Sequence, residues 1–290
     1  MVTTLLADGL IFPEDPRWRD GKLWFSDIYA HCVMTLDLAG HLETVAEIPT
    51  QPSGLGWTPD GRLLVVSMID RCLLRLDDGG PVPVADLSSL ASYYLNDMVV
   101  DAQGRAYIGN LGYDCFTDDT PPHRAEIVMV TGEGRARVVA DQLVFPNGSV
   151  ITPDGKTLIV AETFTARLSA FNIEADGSLS NRRVWAQFDT LPAWEGVDDR
   201  VMPDGICLDA EGAVWVASPS TREVIRVHEG GRISQRIPTE TGAYACMLGG
   251  PQRRTLFILS AETSDPIETR RRVSGRVEYV EVDVPGAGLP

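Results

Sequence analysis

An all-β chain folded as a six-bladed β-propeller, four antiparallel strands to a blade, is the architecture this sequence implies. One pattern recurs along the 290 residues: a short apolar run, an Asp-Gly turn or its equivalent, then a run rich in Val, Ile, Leu and aromatics. The turns fall at 20, 60, 103, 154, 211 and 252, a spacing of 40 to 57 residues, which suits four-stranded propeller blades. No segment of helix length carries a strong 3.6-residue apolar period, Leu87 to Tyr94 being a weak exception.

The blades follow in order. The first runs from Pro16 through the Asp20-Gly21 turn to Ser26, then adds Val33–Leu38 and Gly40–Val45 as a second hairpin. The second spans Gly54–Val66 around Asp60-Gly61, and the third Asp97–Ile108 around Gln103-Gly104. The fourth spans Gly148–Val160 around Asp154-Gly155 and continues through Ala166–Ile173. The fifth is Gly205–Ala217 around Glu211-Gly212, and a degenerate sixth is Cys246–Ile258 around Gln252. Glycine suits each turn because a tight hairpin needs the left-handed backbone that side chains resist. Gly275–Asp283 alternates like a strand, and Val2–Leu6 is a shorter candidate. The two are expected to share the last blade, closing the ring and removing its open edges. Leu111–Arg124 and Phe188–Pro203 are too long for hairpin loops and read as insertions that could wall a site. No shift in composition marks a linker, so residues 1–290 read as a single domain.

Lys plus Arg number 25 against 41 Asp plus Glu, a net charge of −16. Such a surface repels phosphate backbones and anionic lipid, which argues against nucleic-acid and membrane partners. No apolar stretch approaches the roughly 18 residues of a membrane helix. The first residues lack the basic and apolar regions of a secretion signal, so a cytoplasmic protein is expected. Five scattered cysteines, Cys32, Cys72, Cys115, Cys207 and Cys246, form no CxxC pair and read as reduced thiols. The four histidines form neither HxH nor HExxH, so a histidine-built metal site is not expected. The sequence leaves open a monomer or a homodimer.

Chemistry concentrates where the first strand of each repeat begins. Glu14, Asn96, Asn147 and Asp204 stand at or beside corresponding positions of four repeats, and such positions converge on a propeller's axis. Two carboxylates and two amides form a hard oxygen set of charge −2, suited to Ca²⁺ with water completing the shell. A Pro-Asp-Gly or Pro-Asn-Gly turn explains any one of these residues alone. Four oxygen-bearing side chains in register point instead to a common ligand. Thr58-Pro-Asp60-Gly and Thr152-Pro-Asp154-Gly lie at the other end of the first strand and read as hairpin turns only. Tyr29, His31, Met68, Tyr94, Tyr113, Phe164 and Tyr244 are candidates for the walls of a substrate pocket. Trp18, Trp24, Trp57 and Trp215 read as packing between blades, and Cys207 and Cys246 as small buried hydrophobes. His123 reads as a solvated loop residue.

These repeats, with Glu14-Asp-Pro-Arg-Trp18, Pro52-Ser-Gly-Leu-Gly56, Asn96-Asp97, Phe145-Pro-Asn147-Gly and Pro203-Asp204-Gly-Ile-Cys-Leu-Asp209, resemble the SMP-30/gluconolactonase/LRE family of regucalcin-like lactonases. The resemblance covers nearly the whole chain. It implies a divalent metal at the axial mouth, held by Glu14, Asn147 and Asp204. Asn96 would be a further ligand or a catalytic contact to substrate, and Asp204 also the general base of lactone hydrolysis. Calcium is the first choice of metal, with Zn²⁺, Mn²⁺, Mg²⁺ and Fe²⁺ as alternatives. The residues leave open whether Asp204 or the cation itself activates water. Two departures stand out. Glu14-Asp15-Pro16 replaces the family's Glu-Gly-Pro, and Tyr94 stands where sugar-lactonase members carry an arginine that grips substrate hydroxyls. A phenol lacks the forked donors of a guanidinium, so a less polar lactone or ester competes with a sugar lactone. Rival readings are an esterase or organophosphate hydrolase on the same metal site and a non-enzymatic calcium-binding propeller.

Overall fold

The computed structural model describes residues 1–117, 121–189 and 200–288. Six four-stranded antiparallel sheets account for all 24 strands among these residues. Blade one is β2 (Pro13–Arg19), β3 (Lys22–Asp27), β4 (Cys32–Leu36) and β5 (Leu42–Glu47). Blade two is β6 (Pro52–Trp57), β7 (Leu63–Ser67), β8 (Cys72–Asp77) and β9 (Gly80–Asp86). Blade three is β10 (Leu95–Val100), β11 (Ala106–Asn110), β12 (Arg124–Val130) and β13 (Ala136–Val144). Blade four is β14 (Pro146–Ile151), β15 (Thr157–Glu162), β16 (Arg167–Ile173) and β17 (Leu179–Gln187). Blade five is β18 (Ile206–Leu208), β19 (Val214–Ser218), β20 (Glu223–Val227) and β21 (Ile233–Pro238). Blade six is β22 (Gly242–Gly249), β23 (Thr255–Ala261), β24 (Gly275–Glu281) and β1 (Thr4–Leu10). The first and last strands of the chain therefore share one blade, with Thr4 opposite Tyr279 and Leu10 opposite Gly275. The innermost strands β2, β6, β10, β14, β18 and β22 each touch the next, and β22 touches β2, so the ring closes.

The turns explain the spacing. Gly21, Gly61, Gly104, Gly155 and Gly212 all have φ between 70° and 85°, the conformation their hairpins demand. In the degenerate sixth repeat Arg253 occupies the left-handed region instead. A second repeat lies between the second and third strands: His31, Arg71, Ala166 and Arg222 each turn through a left-handed residue just before β4, β8, β16 and β20.

Packing between blades uses the expected aromatics. Trp18 stacks on Phe257 of blade six at 5.3 Å, Trp24 meets Trp57 edge-on at 5.6 Å, and Trp215 is fully buried. Three expectations need adjustment. The N-terminal strand covers Thr4–Leu10 rather than Val2–Leu6, because its pairing with β24 is offset by bulges. Leu87–Tyr94 is a turn, its backbone closing only bonds from Leu90 and Ala91 to Leu87. Among the described residues the α-helix is instead α1 (Pro266–Arg272), with Asp265 capping the Ile267 and Glu268 N–H groups and Pro266 in the first turn. The predicted insertions at 111–124 and 188–203 lie partly outside the described residues.

Two cavities open at opposite ends of the central channel. The turns between first and second strands of blades three, four and six line the smaller, about 350 Å³, together with Ala287 and Gly288 of a C-terminal segment that bonds back to Arg253, Arg254 and Leu208. The larger, about 740 Å³, is ringed by the loops that enter each blade and by those joining second to third strands.

Candidate active site

Glu14, Asn96, Asn147 and Asp204 all line the larger cavity, and all are buried. They arrive from four blades: Glu14 on β2, Asn96 on β10, Asn147 on β14, and Asp204 just before β18. Irregular pairing marks three of these starts, between Glu14 and Arg17, Leu95 and Met98, and Pro146 and Ser149. Bulges at strand ends redirect side chains, here toward the axis. The inner strands also pack closely. A Cβ on Gly148 would lie 2.5 Å from Ile206 N, and one on Gly205 2.7 Å from Ala245 Cα. Glycine after Asn147 and after Asp204 thus lets neighbouring blades approach at the level of the site.

Hydrogen bonds link the set. Asn96 Nδ2 donates to Asn147 Oδ1 at 3.1 Å, and Asn147 Nδ2 to Thr163 Oγ1 at 3.2 Å. Thr163 Oγ1 donates in turn to the Pro203 carbonyl at 2.9 Å, tying blade four to the residue before Asp204. The Asp15 N–H donates to Glu14 Oε2 at 2.9 Å.

The electrostatics are those of anions held together. Burial, then the Asp204 charge, pushes the Glu14 carboxyl well above its ordinary range. Burial, then Asp97, does the same to Asp204, and burial, then Asp15 and Glu14, to Asp97. Arg17 is the cation among them, bonded to Asp15 at 3.1 Å and to the Met98 carbonyl. In the sequence Asp15 stood out only as a departure from the family pattern and Asp97 only as part of a motif, and Asp15, Arg17 and Asp97 were given no role in the site; charged residues on an innermost strand were the available signal. Among the described residues no group of three or more His, Cys, Asp and Glu is placed to hold a metal. The donor set is instead mixed carboxylate and amide, and its charge and hardness fit a divalent cation of the Ca²⁺ type.

Of the candidate wall residues, Tyr29, Met68, Tyr94, Phe164 and Tyr244 line this cavity. His31 and Tyr113 are not among its lining residues. His31 sits on the left-handed turn outside Tyr29, and Tyr113 is buried with its ring against His123 (5.3 Å) and Phe164 (6.3 Å). His123 is exposed. Phe12, Tyr93, Phe116 and Phe145 also line the cavity and were not among the candidates.

The sequence model of the SMP-30/gluconolactonase/LRE-like region matches residues 12–262. The chain belongs to that family. The SMP-30/gluconolactonase match takes in five blades and two of the four strands of the sixth, β22 and β23. The 6-deoxy-6-sulfogluconolactonase of Pseudomonas putida is 25% identical over 287 residues, covering 97% of this chain and 94% of that one. Among solved structures, a calcium-binding protein, regucalcin, from Agrobacterium tumefaciens superposes with a TM-score of 0.79 at 22% identity, covering 100% of this chain and 96% of that one. A gluconolactonase from Xanthomonas campestris gives 0.75 at 22%, covering 98% and 88%. Family membership supports a lactonase-type function acting on a small molecule. No helix among the described residues is long and apolar enough to cross a membrane.

Proposed function

We propose that this protein is a metal-dependent hydrolase that opens a lactone, of a sugar or of a less polar alcohol, to the hydroxy acid. The convergence of Glu14, Asn96, Asn147 and Asp204 on one cavity carries the reading. Glu14, Asn147 and Asp204 would hold one divalent ion, with Asn96 beside them. The Agrobacterium relative is described as calcium-binding, which supports Ca²⁺ as first choice. A bound ion supplies Lewis acidity to the lactone carbonyl oxygen. Asp204 takes a proton from the attacking water as its oxygen bonds to the carbonyl carbon. The ring C–O bond then breaks, and Asp204 returns the proton to the departing alkoxide. One Asn96 N–H fixes Asn147, and the other is left to donate to substrate.

Cysteine catalysis fits poorly. Cys115 lines the cavity, but burial, then Asp114, pushes its thiol up to about 11, so it is protonated at neutral pH. The aromatic walls favour a second reading, an aryl esterase or organophosphate hydrolase on the same residues. A panel of lactones and aryl esters separates the two by kcat/KM. Asp204→Ala and Glu14→Gln should lower kcat/KM by about 100- to 10,000-fold while circular dichroism stays native. Full turnover in chelator-treated protein overturns the metal's role, and calcium binding without turnover of any panel member would leave a binding propeller.

A further inference from the structure

The walls of the larger cavity combine two features. Eight aromatic side chains line it among the described residues, including the Tyr93–Tyr94 pair stacked at 4.3 Å and Phe145 edge-on to Phe164 at 4.8 Å. No lysine or arginine lines it among the described residues, and the segments 118–120, 190–199 and 289–290 contain none in their sequence. The rim helix α1 does carry Arg270, but its guanidinium lies over the Tyr29 ring at 5.1 Å and donates to the Pro266 carbonyl. Arg17 lies below, held by Asp15.

Among the described residues four carboxylates line the cavity: Glu14, Asp204, Asp114 and Asp265. A divalent ion would balance the first two. Neither Asp114 nor Asp265 faces a guanidinium or ammonium partner among these residues: Asp114 accepts from the Thr117 hydroxyl at 2.6 Å, which lowers its pKa, and Asp265 accepts from the N–H groups of Ile267 and Glu268 that it caps. A substrate bearing a sulfonate, phosphate or carboxylate would meet only negative charge beyond the metal, on a chain of net charge −16. An uncharged flat ring meets aromatic faces suited to stacking.

We infer that the site selects uncharged lactones whose ring or substituent is flat and apolar, and excludes anionic ones. This rests on the lactonase reading. The relative from Pseudomonas putida, by its description, handles a sulfonated sugar lactone; among the described residues this cavity offers no lysine or arginine for such a group.

The test compares dihydrocoumarin with dihydrocoumarin-6-sulfonate, which differ by one remote negative charge, and with glucono-δ-lactone, using calcium-loaded protein. The expected kcat/KM for dihydrocoumarin exceeds that of its sulfonate at least 50-fold and that of glucono-δ-lactone at least 10-fold. Ile69→Lys, which places an ammonium on the partly exposed wall, should narrow the sulfonate gap at least fivefold. Equal turnover of the sulfonate, or a preference for glucono-δ-lactone, overturns the inference and leaves the lactonase reading intact. If none of the three is hydrolysed, the lactonase reading fails instead. Calorimetric titration with coumarin and coumarin-6-sulfonate then still decides selectivity: coumarin binding at least 10-fold tighter supports it, and equal affinities or no coumarin binding refute it.

Discussion

Single residues show where polarity in this fold is structural and where it is chemical. Glu162 is fully buried on β15, yet it is saturated: Arg167 and Arg182 reach it at 3.0 and 2.8 Å, Ser169 donates to it, and the Val144 N–H closes the set at 2.9 Å. Burial raises its pKa, but hydrogen bonds from Arg167 and Ser169 and the two guanidinium charges outweigh that and hold it below the ordinary range. A lowered folded-state pKa stabilises above the unfolded value, near 4.3, and the contribution disappears as pH falls through the folded value. Glu162→Gln should therefore lower stability by about 2 kcal/mol at pH 7 and pH 5, with the gap to wild type shrinking below about pH 4. Urea unfolding at each pH measures this, and a gap that widens in acid would contradict it. Glu14 and Asp204 differ in kind, since their raised pKa values reflect burial and then repulsion by neighbouring carboxylates, with no guanidinium bonded to either. They were legible in the sequence because oxygen-bearing residues recur at blade starts. Asp97 and the Asp15–Arg17 pair were less so, because a two-residue alternation does not say which polar side chain of an innermost strand faces the channel.

Among elements, the innermost strands fix the site by how closely they pack. The Gly205 N–H donates to the Tyr244 carbonyl at 2.7 Å, across the boundary between blades five and six. A methyl at Gly205 meets Ala245 backbone at 2.7 Å, so β22 or the start of β18 must shift, at about 1–3 kcal/mol. Asp204 is the adjacent residue, so Gly205→Ala should also weaken calcium affinity about tenfold or more. Gly212→Ala is the control: nothing lies within 4 Å of the added methyl, but φ is +76°, so it costs about 1 kcal/mol through the backbone alone. Thermal melts and calcium titrations of both variants separate the effects, and equal loss of affinity in the two would refute the role of close packing. The turns were readable because Asp-Gly and its relatives have a local cause. Helix α1 was not anticipated, though Ser264-Asp265-Pro266 carries a capping signal, because seven residues are too few for apolar periodicity to show. The wall residues were only partly readable. Which of two adjacent loop aromatics faces inward depends on backbone turns such as the left-handed Phe145 (φ 53°), and these have no sequence period.

Across the whole molecule, the strand count, blade order and closure were visible because repetition is a property of the chain, whereas the cavity's charge balance emerges only when four blades meet. That meeting has a thermodynamic consequence. Blades one, three, four and five each contribute an oxygen donor at the channel mouth, and the ring is closed by β1 pairing with β24 and by β22 packing on β2. A cation bound there would gain its ligands only in the assembled propeller, so its binding energy adds to global rather than local stability. At one hundred times Kd that amounts to about 2.7 kcal/mol. Calorimetry should therefore show one transition that moves upward with calcium and downward with chelator, not a separate low-temperature shoulder. In chelated protein the two buried carboxylates repel, so Glu14→Gln should melt at or above wild type; with calcium the order should invert, because the variant lacks a ligand. That inversion distinguishes a cation site from a merely buried acidic pair. If Glu14→Gln melts below wild type by the same amount in both conditions, the carboxylate serves the fold and not a metal.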